Sequence, residues 1–269
     1  MDFFDVHTHL HDSRIFDDVP GILLRAGSAG LRYMATCATM TENFAQTREL
    51  ADQYASVLPC FGIHPWFLDT LGRDWEEILA SHLEQTASGV GETGLDFTDR
   101  GADRDLQIRV FRRHLALAAD LGRPINIHIR KAWDAFVHIL KAHGPLKAGG
   151  LVHSFSGSAD LVRVLERYNL YISFSGAVTR PNAKKAVRAL GAVSQDRILF
   201  ETDTPDLYPS LDTGGSYIQM LNEPGLVPAI VEIAARRRGM GFEELAGYGY
   251  SNARELFSPI LTKSVQDTR

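Results

Sequence analysis

Cysteine is scarce in this sequence, since Cys37 and Cys60 are the two present in 269 residues. Both fall in apolar segments that we interpret as neighbouring strands, so we predict reduced core thiols rather than a disulfide. No apolar run approaches the roughly 20 residues of a membrane helix. The acidic and aromatic start, Met1-Asp2-Phe3, lacks the basic region of a signal peptide. We therefore expect a cytoplasmic protein without a membrane segment.

An excess of basic residues is lacking too, because the formal net charge is −5 at pH 7. A protein that coats long nucleic acids needs a basic face to neutralise many phosphates, so this charge argues against that class. It does not argue against an enzyme that binds one or two phosphates locally. The sequence contains no Gly-x-x-x-x-Gly-Lys-Ser/Thr loop, and this absence argues against nucleotide-driven chemistry. It contains no Gly-x-Ser-x-Gly elbow either.

What the sequence does have is a regular alternation of short apolar runs with longer amphipathic stretches. This alternation is typical of repeated β-α units around a parallel sheet, whose strands are continuously apolar when both faces are covered. One helix is predicted over 103–121, where apolar residues recur at helical spacing before Gly122 and Pro124. The predicted strands cover residues 3–6, 31–36, 57–62, 89–92, 125–129, 150–153, 170–173 and 198–201.

Eight strands alternating with helices fit an α/β fold of the (β/α)8 TIM-barrel type, and an open doubly wound sheet is the main competitor. Periodicity alone does not separate the two. Barrels of about 250 residues form one domain, and no linker interrupts the chain. We predict a single barrel domain over residues 1–258, a polar C-terminal tail over 259–269 and a long loop over 205–223 beside the mouth.

Polar residues follow most of the predicted strands at the point where each strand ends. His7 and His9 follow the first strand, and their spacing in an extended segment points both side chains to one side. The carboxyl ends of all barrel strands meet at one mouth, so a barrel would bring the polar residues together. The other strand ends carry His64, Glu92, Asp96, His128, Arg130, His153, Glu201 and Asp203.

The side chains at these strand ends are of the types that bind divalent metals. Imidazole nitrogens and carboxylate oxygens are ligands of Zn, Mn and Fe. A cluster of acids would repel itself and crowded histidines would lose their protons, whereas a bound dication stabilises both groups. The residues alone therefore predict a metal site at the mouth.

Several segments resemble the TatD-type metal-dependent hydrolases, a branch of the amidohydrolase-like barrel superfamily. The resemblance runs in order from the first strand to about Phe257. In one-letter code it rests on DVHTH from residue 5, GIHP from 62, GETGLD from 91, HIR from 128, HSFSGS from 153 and ETDTP from 201.

The resemblance implies a binuclear site for two divalent metal ions per chain, with Zn, Mn and Mg all open. Related barrels often bridge their ions with a carbamylated lysine, whereas this chain offers Glu92, which favours the TatD-type branch. The implied ligands are His7, His9 and Asp203 for the first ion, His128 and His153 for the second, and Glu92 as the bridge.

Three further residues are candidates for catalytic roles. Asp203 is placed to orient the attacking water or accept its proton. Glu201 is a candidate acid behind a histidine, with a salt bridge at the mouth as the alternative. His64 is a candidate to contact phosphate or to donate a proton to the leaving group, with a role in fixing a loop as the alternative.

In addition to His64, three residues are candidate substrate contacts. Arg130 and Arg180 follow the fifth and seventh strands, and an arginine can bind a phosphate through two N–H groups. A solvated loop position is the alternative for Arg180. Asp96 is a candidate substrate contact as well, with capping or orienting as its alternative.

The TatD-type resemblance implies an activity on nucleic acid. Members are described as deoxyribonucleases, including exonucleases that work from a 3′ end, and some relatives as D-aminoacyl-tRNA deacylases. We therefore expect hydrolysis of phosphodiester bonds in DNA, with hydrolysis of an acyl or amide bond as the alternative. Trp66 stands where the family often has histidine and Phe97 where tyrosine is common, and this loss of polar groups keeps the alternative open.

A metal-containing protein that binds nucleic acid without cutting it is the third hypothesis. The complete ligand set and the acidic net charge argue against it. We expect DNA or another phosphodiester as the substrate, no membrane association and no obligate protein partner.

Overall fold

The computed structural model of the chain describes residues 1–100, 102–211 and 220–261. Its strands form one parallel eight-stranded sheet in which each strand pairs with the next along the chain. All eight predicted strands are present, and the fourth extends beyond its predicted end to Asp96. The strands are β1 Phe3–Thr8, β2 Leu31–Cys37, β3 Val57–Phe61, β4 Gly89–Asp96, β5 Ile125–Arg130, β6 Gly150–Val152, β7 Leu170–Phe174 and β8 Ile198–Phe200.

The first and last strands close the sheet into a nearly complete barrel. Thr8 forms a parallel bridge with Thr204, just past β8. Backbone hydrogen bonds cross the same seam from His9 N to Thr204 O (2.7 Å) and from Asp203 N to His7 O (3.0 Å). The predicted (β/α)8 barrel is confirmed over the open sheet, and its closure brings the carboxyl ends of β1 and β8 together at the mouth.

Helices cover the outside of the barrel. The helix predicted over 103–121 is α4, where Asp103 accepts a hydrogen bond from Leu106 N (3.0 Å) as the N-cap. Gly122 ends α4 in the left-handed conformation (φ 62°), which glycine adopts without a Cβ clash. The helices are α1 Val19–Ser28, α2 Phe44–Gln53, α3 Trp75–Gln85, α4 Arg104–Leu121, α5 Trp133–His143, α6 Ala159–Glu166, α7 Lys184–Ala192, α8 Val227–Arg238, α9 Phe242–Leu256 and α10 Ser258–Leu261.

The main hydrophobic core lies between the barrel and its helices. Fully buried side chains such as Phe61 from β3, Phe111 from α4 and Phe136 from α5 belong to it. Burial of apolar area on this scale is the dominant stabilising term of such a fold. Among the described residues, none of the helices combines the length and the apolar character needed to cross a membrane.

A short helix, which the sequence analysis did not predict, covers the start of the predicted C-terminal tail. Residues Ser258–Leu261 form α10, and Ile260 is buried in the same cluster as Phe4 and Phe257. Residues 262–269 of the predicted tail and residues 212–219 of the predicted loop lie outside the described residues. The division into a domain over 1–258 and a tail therefore stays a prediction.

The two cysteines are free and buried. Cys37 on β2 and Cys60 on β3 are register partners on neighbouring strands. Burial raises the pKa of the Cys37 thiol well above its ordinary value. The structure agrees with the prediction of two reduced core thiols.

Candidate metal centre

The six predicted ligands converge at the C-terminal mouth of the barrel. Between them they form two compact groups of ligand atoms, His7 with His153 and Asp203, and His7 with His9 and Glu92. A third group joins Glu92 and His128 to His64. The structure therefore brings together every residue that the resemblance implied as a ligand.

Two glycines allow β4 to carry Glu92 into the middle of this cluster. At Gly94 (φ 152°) a Cβ atom would lie 1.9 Å from the His128 carbonyl oxygen, and at Gly91 (φ 135°) it would lie 2.5 Å from the Asn126 carbonyl oxygen. Only glycine permits so close an approach between neighbouring strands. The glycines of the GETGLD segment thus set the distance between Glu92 and the histidine of β5.

Glu92 presents one carboxylate oxygen to each pair of histidines. Its Oε2 lies 3.5 Å from His7 Nε2 and 3.3 Å from His9 Nε2. Its Oε1 lies 3.1 Å from His128 Nδ1 and 3.0 Å from His153 Nε2. A buried carboxylate with each oxygen facing its own pair of nitrogens is arranged to bridge two cations.

Asp203 completes the group around His7 and His9. Its Oδ1 lies 3.4 Å from the Nε2 atom of each histidine. The Asp203 backbone has φ 60°, a left-handed conformation that aspartate adopts more readily than most residues. Its side chain is 15% exposed, against 4% for Glu92, so Asp203 is the carboxylate that the open mouth can reach.

The outer ring nitrogens of His7 and His9 each face an oxygen that accepts hydrogen bonds. Asn126 Nδ2 donates to Val6 O (3.0 Å), which leaves Asn126 Oδ1 to face His7 Nδ1 at 2.9 Å. The carbonyl oxygen of Cys37 lies 2.8 Å from His9 Nδ1. Because these oxygens only accept, both histidines carry a proton on Nδ1 and present Nε2 inward.

The other two histidines have carboxylates behind them. His128 Nε2 lies 3.3 Å from Asp96 Oδ2, and His153 Nδ1 lies 3.4 Å from Glu201 Oε1. Carboxylates behind ligating imidazoles fix the tautomer and the ring orientation. His128 Nδ1 and His153 Nε2 are therefore the nitrogens turned toward Glu92.

The inward nitrogens of each histidine pair lie within hydrogen-bond distance of one another. His7 Nε2 is 3.1 Å from His9 Nε2, and His128 Nδ1 is 3.0 Å from His153 Nε2. With their protons on the outer nitrogens, each pair directs two lone pairs at the same point, beside a carboxylate oxygen. A divalent ion at each point removes this repulsion, so the donor set fits two such ions.

Comparison with known proteins shows the family to which the chain belongs. A sequence profile of the family described as TatD related DNase matches residues 4–258. The chain belongs to this family. The resemblance based on the strand-end motifs is thereby confirmed.

Relatives of the TatD family align with this chain over nearly its whole length. YabD of Bacillus subtilis (strain 168), described as an uncharacterized metal-dependent hydrolase, is 34% identical over 257 residues, which cover 94% of this chain and 98% of YabD. A protein of Edwardsiella piscicida described as 3′-5′ ssDNA/RNA exonuclease TatD is 32% identical over 262 residues, with coverage of 94% and 98%. The crystal structure of YjjV, a TatD homolog from Escherichia coli K12, superposes with a TM-score of 0.88 at 28% identity, with coverage of 95% and 98%. The chain is a metal-dependent hydrolase of the TatD family.

The charges of the TatD-family site show how strongly it attracts positive charge. Burial would lower the pKa of His9, but its hydrogen bond to Asp203 and the charge of Glu92 raise that pKa to about 9. Burial would also lower the pKa of His153, but Glu92 and Glu201 hold it well above its ordinary value. Without metal, protons therefore occupy the positions that cations would take.

Metal binding is expected to release protons at neutral pH. At pH about 7.5 the metal-free protein holds a proton on His9, whose pKa is about 9, and ligation requires neutral imidazole. Affinity should therefore rise as the pH is raised toward 9. Titration calorimetry of metal-stripped protein with Zn²⁺ or Mn²⁺, in buffers of different ionisation enthalpy, measures the protons released. A heat that is independent of the buffer would contradict this protonation pattern.

The imidazole of His64 lies beside the Glu92 carboxylate. Its Nδ1 accepts from Trp66 N (3.1 Å), so the ring proton is on Nε2, which lies 3.4 Å from Glu92 Oε1. Burial lowers the pKa of His64 to about 3, which keeps the imidazole neutral. A neutral imidazole can donate a hydrogen bond from Nε2, while its Nδ1 holds the backbone of the segment after β3.

Asp96 is placed behind His128 and not at the open mouth. Its carboxylate is fully buried and accepts hydrogen bonds from Trp66 Nε1 (2.7 Å) and Thr98 N (2.9 Å). Burial would raise the pKa of Asp96, but hydrogen bonds from His128 and Thr98 hold it below its ordinary value. This position suits the orienting alternative for Asp96, and the indole N–H of Trp66 is engaged with this buried carboxylate.

Replacing Trp66 by phenylalanine is expected to weaken metal binding at the His128–His153 pair about ten- to hundredfold, as outer hydrogen bonds of ligands commonly do. The change removes the donor to Asp96 Oδ2, the same oxygen that faces His128. Competition titration with a fluorescent chelator measures each affinity. Trp133→Phe is the matched control. Trp133 also packs against an aromatic ring, that of Phe155, but it does not donate a hydrogen bond to Asp96. Equal affinities in the two variants would refute the role of the indole N–H.

The remaining predicted residues lie around the centre at different depths. Arg130 ends β5 with an exposed side chain, which suits a contact at the rim. Arg180 is partly buried, and its Nε is without a hydrogen-bond partner among the described residues. Glu201 is buried and accepts from Ser154 N (2.6 Å), which holds it behind His153.

Two contributors to the TatD-family site escaped the sequence interpretation. Asn126 orients His7, and the Cys37 carbonyl orients His9. A signal existed for Asn126, since it precedes His128 by two residues in an apolar strand and so points to the same side. A backbone carbonyl leaves no comparable signal in a sequence.

Proposed function

We propose that this TatD-family protein hydrolyses phosphodiester bonds in single-stranded DNA, releasing nucleotides from the 3′ end with two divalent ions, Zn, Mn or Mg. The observation that carries the proposal is the pairing of inward histidine nitrogens about the two oxygens of Glu92. Two-metal sites of this kind serve in-line displacement at phosphorus. The relative from Edwardsiella piscicida described as a 3′-5′ ssDNA/RNA exonuclease supports the choice of substrate.

The chain's own residues divide the work around the reacting phosphate. When bound, a pair of divalent ions lowers the pKa of water toward 7 and stabilises charge on the attacked group. Asp203, the more exposed carboxylate, orients the attacking water and accepts its proton at a carboxylate oxygen. His64 donates its Nε2 proton in a hydrogen bond to a phosphoryl oxygen.

Residues outside the metal centre hold the substrate and the ligands in place. Arg130 and Arg180 bind neighbouring phosphates through their N–H groups. Asp96 and Glu201 keep His128 and His153 turned inward. We also propose that the protein acts in the cytoplasm, which its two free core thiols favour, and that it needs no obligate protein partner.

The test is a hydrolysis assay on metal-stripped protein resupplied with Mg²⁺, Mn²⁺ or Zn²⁺. The substrates are single-stranded DNA labelled at either end, bis-p-nitrophenyl phosphate and a D-aminoacyl-tRNA. Metal-dependent release of mononucleotides from the 3′ end is the expected result. Cleavage of the acyl ester alone would reassign the protein as a deacylase, and tight binding of DNA without turnover would reassign it as a binder.

A further inference from the structure

The arginine on the β1 and β8 side of the mouth is neutralised by acids. Arg14 follows β1, and its guanidinium lies 2.8 Å from the carboxylates of both Asp12 and Asp206. Asp206 belongs to the loop that follows β8. Among the described residues, a polyanion on this side of the mouth would meet the two carboxylates of Asp12 and Asp206 beside the single arginine that they pair with.

The β3 and β4 side of the mouth is different. The Arg100 guanidinium lies 5.1 Å from the centre of the Trp66 ring, and that of Arg104 lies 4.8 Å from the centre of the Phe97 ring. Within the described ranges neither arginine has a carboxylate in ion-pair distance. A guanidinium held over an aromatic ring keeps its N–H edge available for an oxyanion.

This group of arginines and rings is continuous with the metal centre. The Trp66 ring lies 6.2 Å from the ring of His128. Phe97 N donates to Arg130 O (2.9 Å), so the backbone of the exposed residue Arg130 lies next to Phe97. The two rings and the three arginines therefore lie on the His128 side of the mouth. We call this the arginine–aromatic surface, formed by Trp66, Phe97, Arg100, Arg104 and Arg130.

Acidic residues alternate with the arginines in this segment. Asp99 and Asp105 are exposed, and Asp103 is engaged in capping α4 through Leu106 N. A diffuse attraction of any polyanion is therefore weak here. Recognition must come from guanidinium groups held in place by the rings, which suits phosphates at defined spacing with bases that stack.

We propose that the arginine–aromatic surface binds single-stranded nucleic acid next to the scissile bond. The arginines contact consecutive phosphates, and unstacked bases lie against the guanidinium planes and the rings. The proposal rests on the proposed function and adds the side of the mouth from which the strand enters. Duplex nucleic acid, whose bases are stacked on one another, would not gain these contacts.

The test compares two double variants. Arg100→Gln with Arg104→Gln alters the surface, while Arg109→Gln with Arg112→Gln makes the same change of charge farther along α4, where both residues are exposed. Binding of a fluorescent single-stranded oligonucleotide is measured by anisotropy over a range of salt, in an Asp203→Asn background that prevents cleavage. We expect the first variant alone to bind about tenfold more weakly, with a salt slope smaller by about 1.4 for two lost phosphate contacts.

Activity measurements separate this proposal from the proposed function. With Asp203 intact, the first variant should show a raised KM for the oligonucleotide and an unchanged rate on bis-p-nitrophenyl phosphate, which has no strand to bind. Equal affinities and salt slopes in the two double variants would overturn the role of the surface, even if the enzyme cleaves DNA. Binding that depends on Arg100 and Arg104 without any nucleotide release would overturn the proposed function and leave the surface standing.

Discussion

Asp203→Asn is expected to lower kcat about a thousandfold on both DNA and bis-p-nitrophenyl phosphate, within the usual range for losing a general base and a metal ligand atom. The amide keeps the size of the carboxylate, but it does not accept a proton from water. It also places an uncharged group 3.4 Å from His7 and His9, where a negative oxygen stood. Rates at saturating metal and substrate, measured against the wild type, give the effect.

The matched control for Asp203→Asn is Asp206→Asn. Asp206 lies in the same loop and is exposed, and its carboxylate pairs with Arg14 outside the metal centre. An exposed pair of this kind contributes little to stability, so this variant should keep its kcat within about twofold. Thermal melting should show both variants folded. An Asp203→Asn enzyme that keeps more than a tenth of its activity would remove Asp203 from the proposed role.

The barrel and the meeting of the candidate ligands at its mouth were predictable because they depend on short-range patterns. Apolar runs with both faces buried identify parallel strands, and a ligand must stand where a strand ends. His7 and His9 share one side of β1 through the two-residue period of a strand, and the closure at Thr8 and Thr204 places Asp203 beside them. Because the candidate ligands of one metal site come from several strands, His, Glu and Asp residues recur at strand ends along the sequence.

The contacts that hold the ligands were harder to predict because they join residues far apart in the sequence. Trp66 follows β3 and Asp96 ends β4, 30 residues further along the chain, and the apolar character of tryptophan hid its N–H donor. The sequence left substrate contact open for Asp96 because it does not show how deeply the side chain is buried. The position of Asp96 in the barrel depends on Gln107 of α4, which accepts from the Asp96 backbone N–H (2.8 Å) and donates to its carbonyl oxygen (2.9 Å). Side-chain depth is a property of packing and not of sequence position.

Glu92→Gln is expected to lower the metal content from the two ions per chain that we propose to one or fewer, and kcat at least about a thousandfold. The glutamine carbonyl oxygen serves only one pair of histidines, and its NH2 group would point two protons at the other pair. In the wild type those distances are 3.3 Å to His9 Nε2 and 3.0 Å to His153 Nε2. The loss of the central negative charge also leaves the histidines without the group that raises the pKa of His9 and of His153.

Elemental analysis after equilibrium dialysis against a limiting excess of Mn²⁺ or Zn²⁺ measures the metal content of the Glu92→Gln protein. Glu42→Gln is the control, because Glu42 is exposed in the segment after β2 and, among the residues that the structure describes, its carboxylate accepts only from Thr41 Oγ1 (3.1 Å). The control should bind metal as the wild type does. Two ions per chain retained by Glu92→Gln would show that the histidines and Asp203 hold them separately, and the bridging role of Glu92 would then fall. Retention of one ion with residual turnover would instead identify the ion at which the reaction takes place.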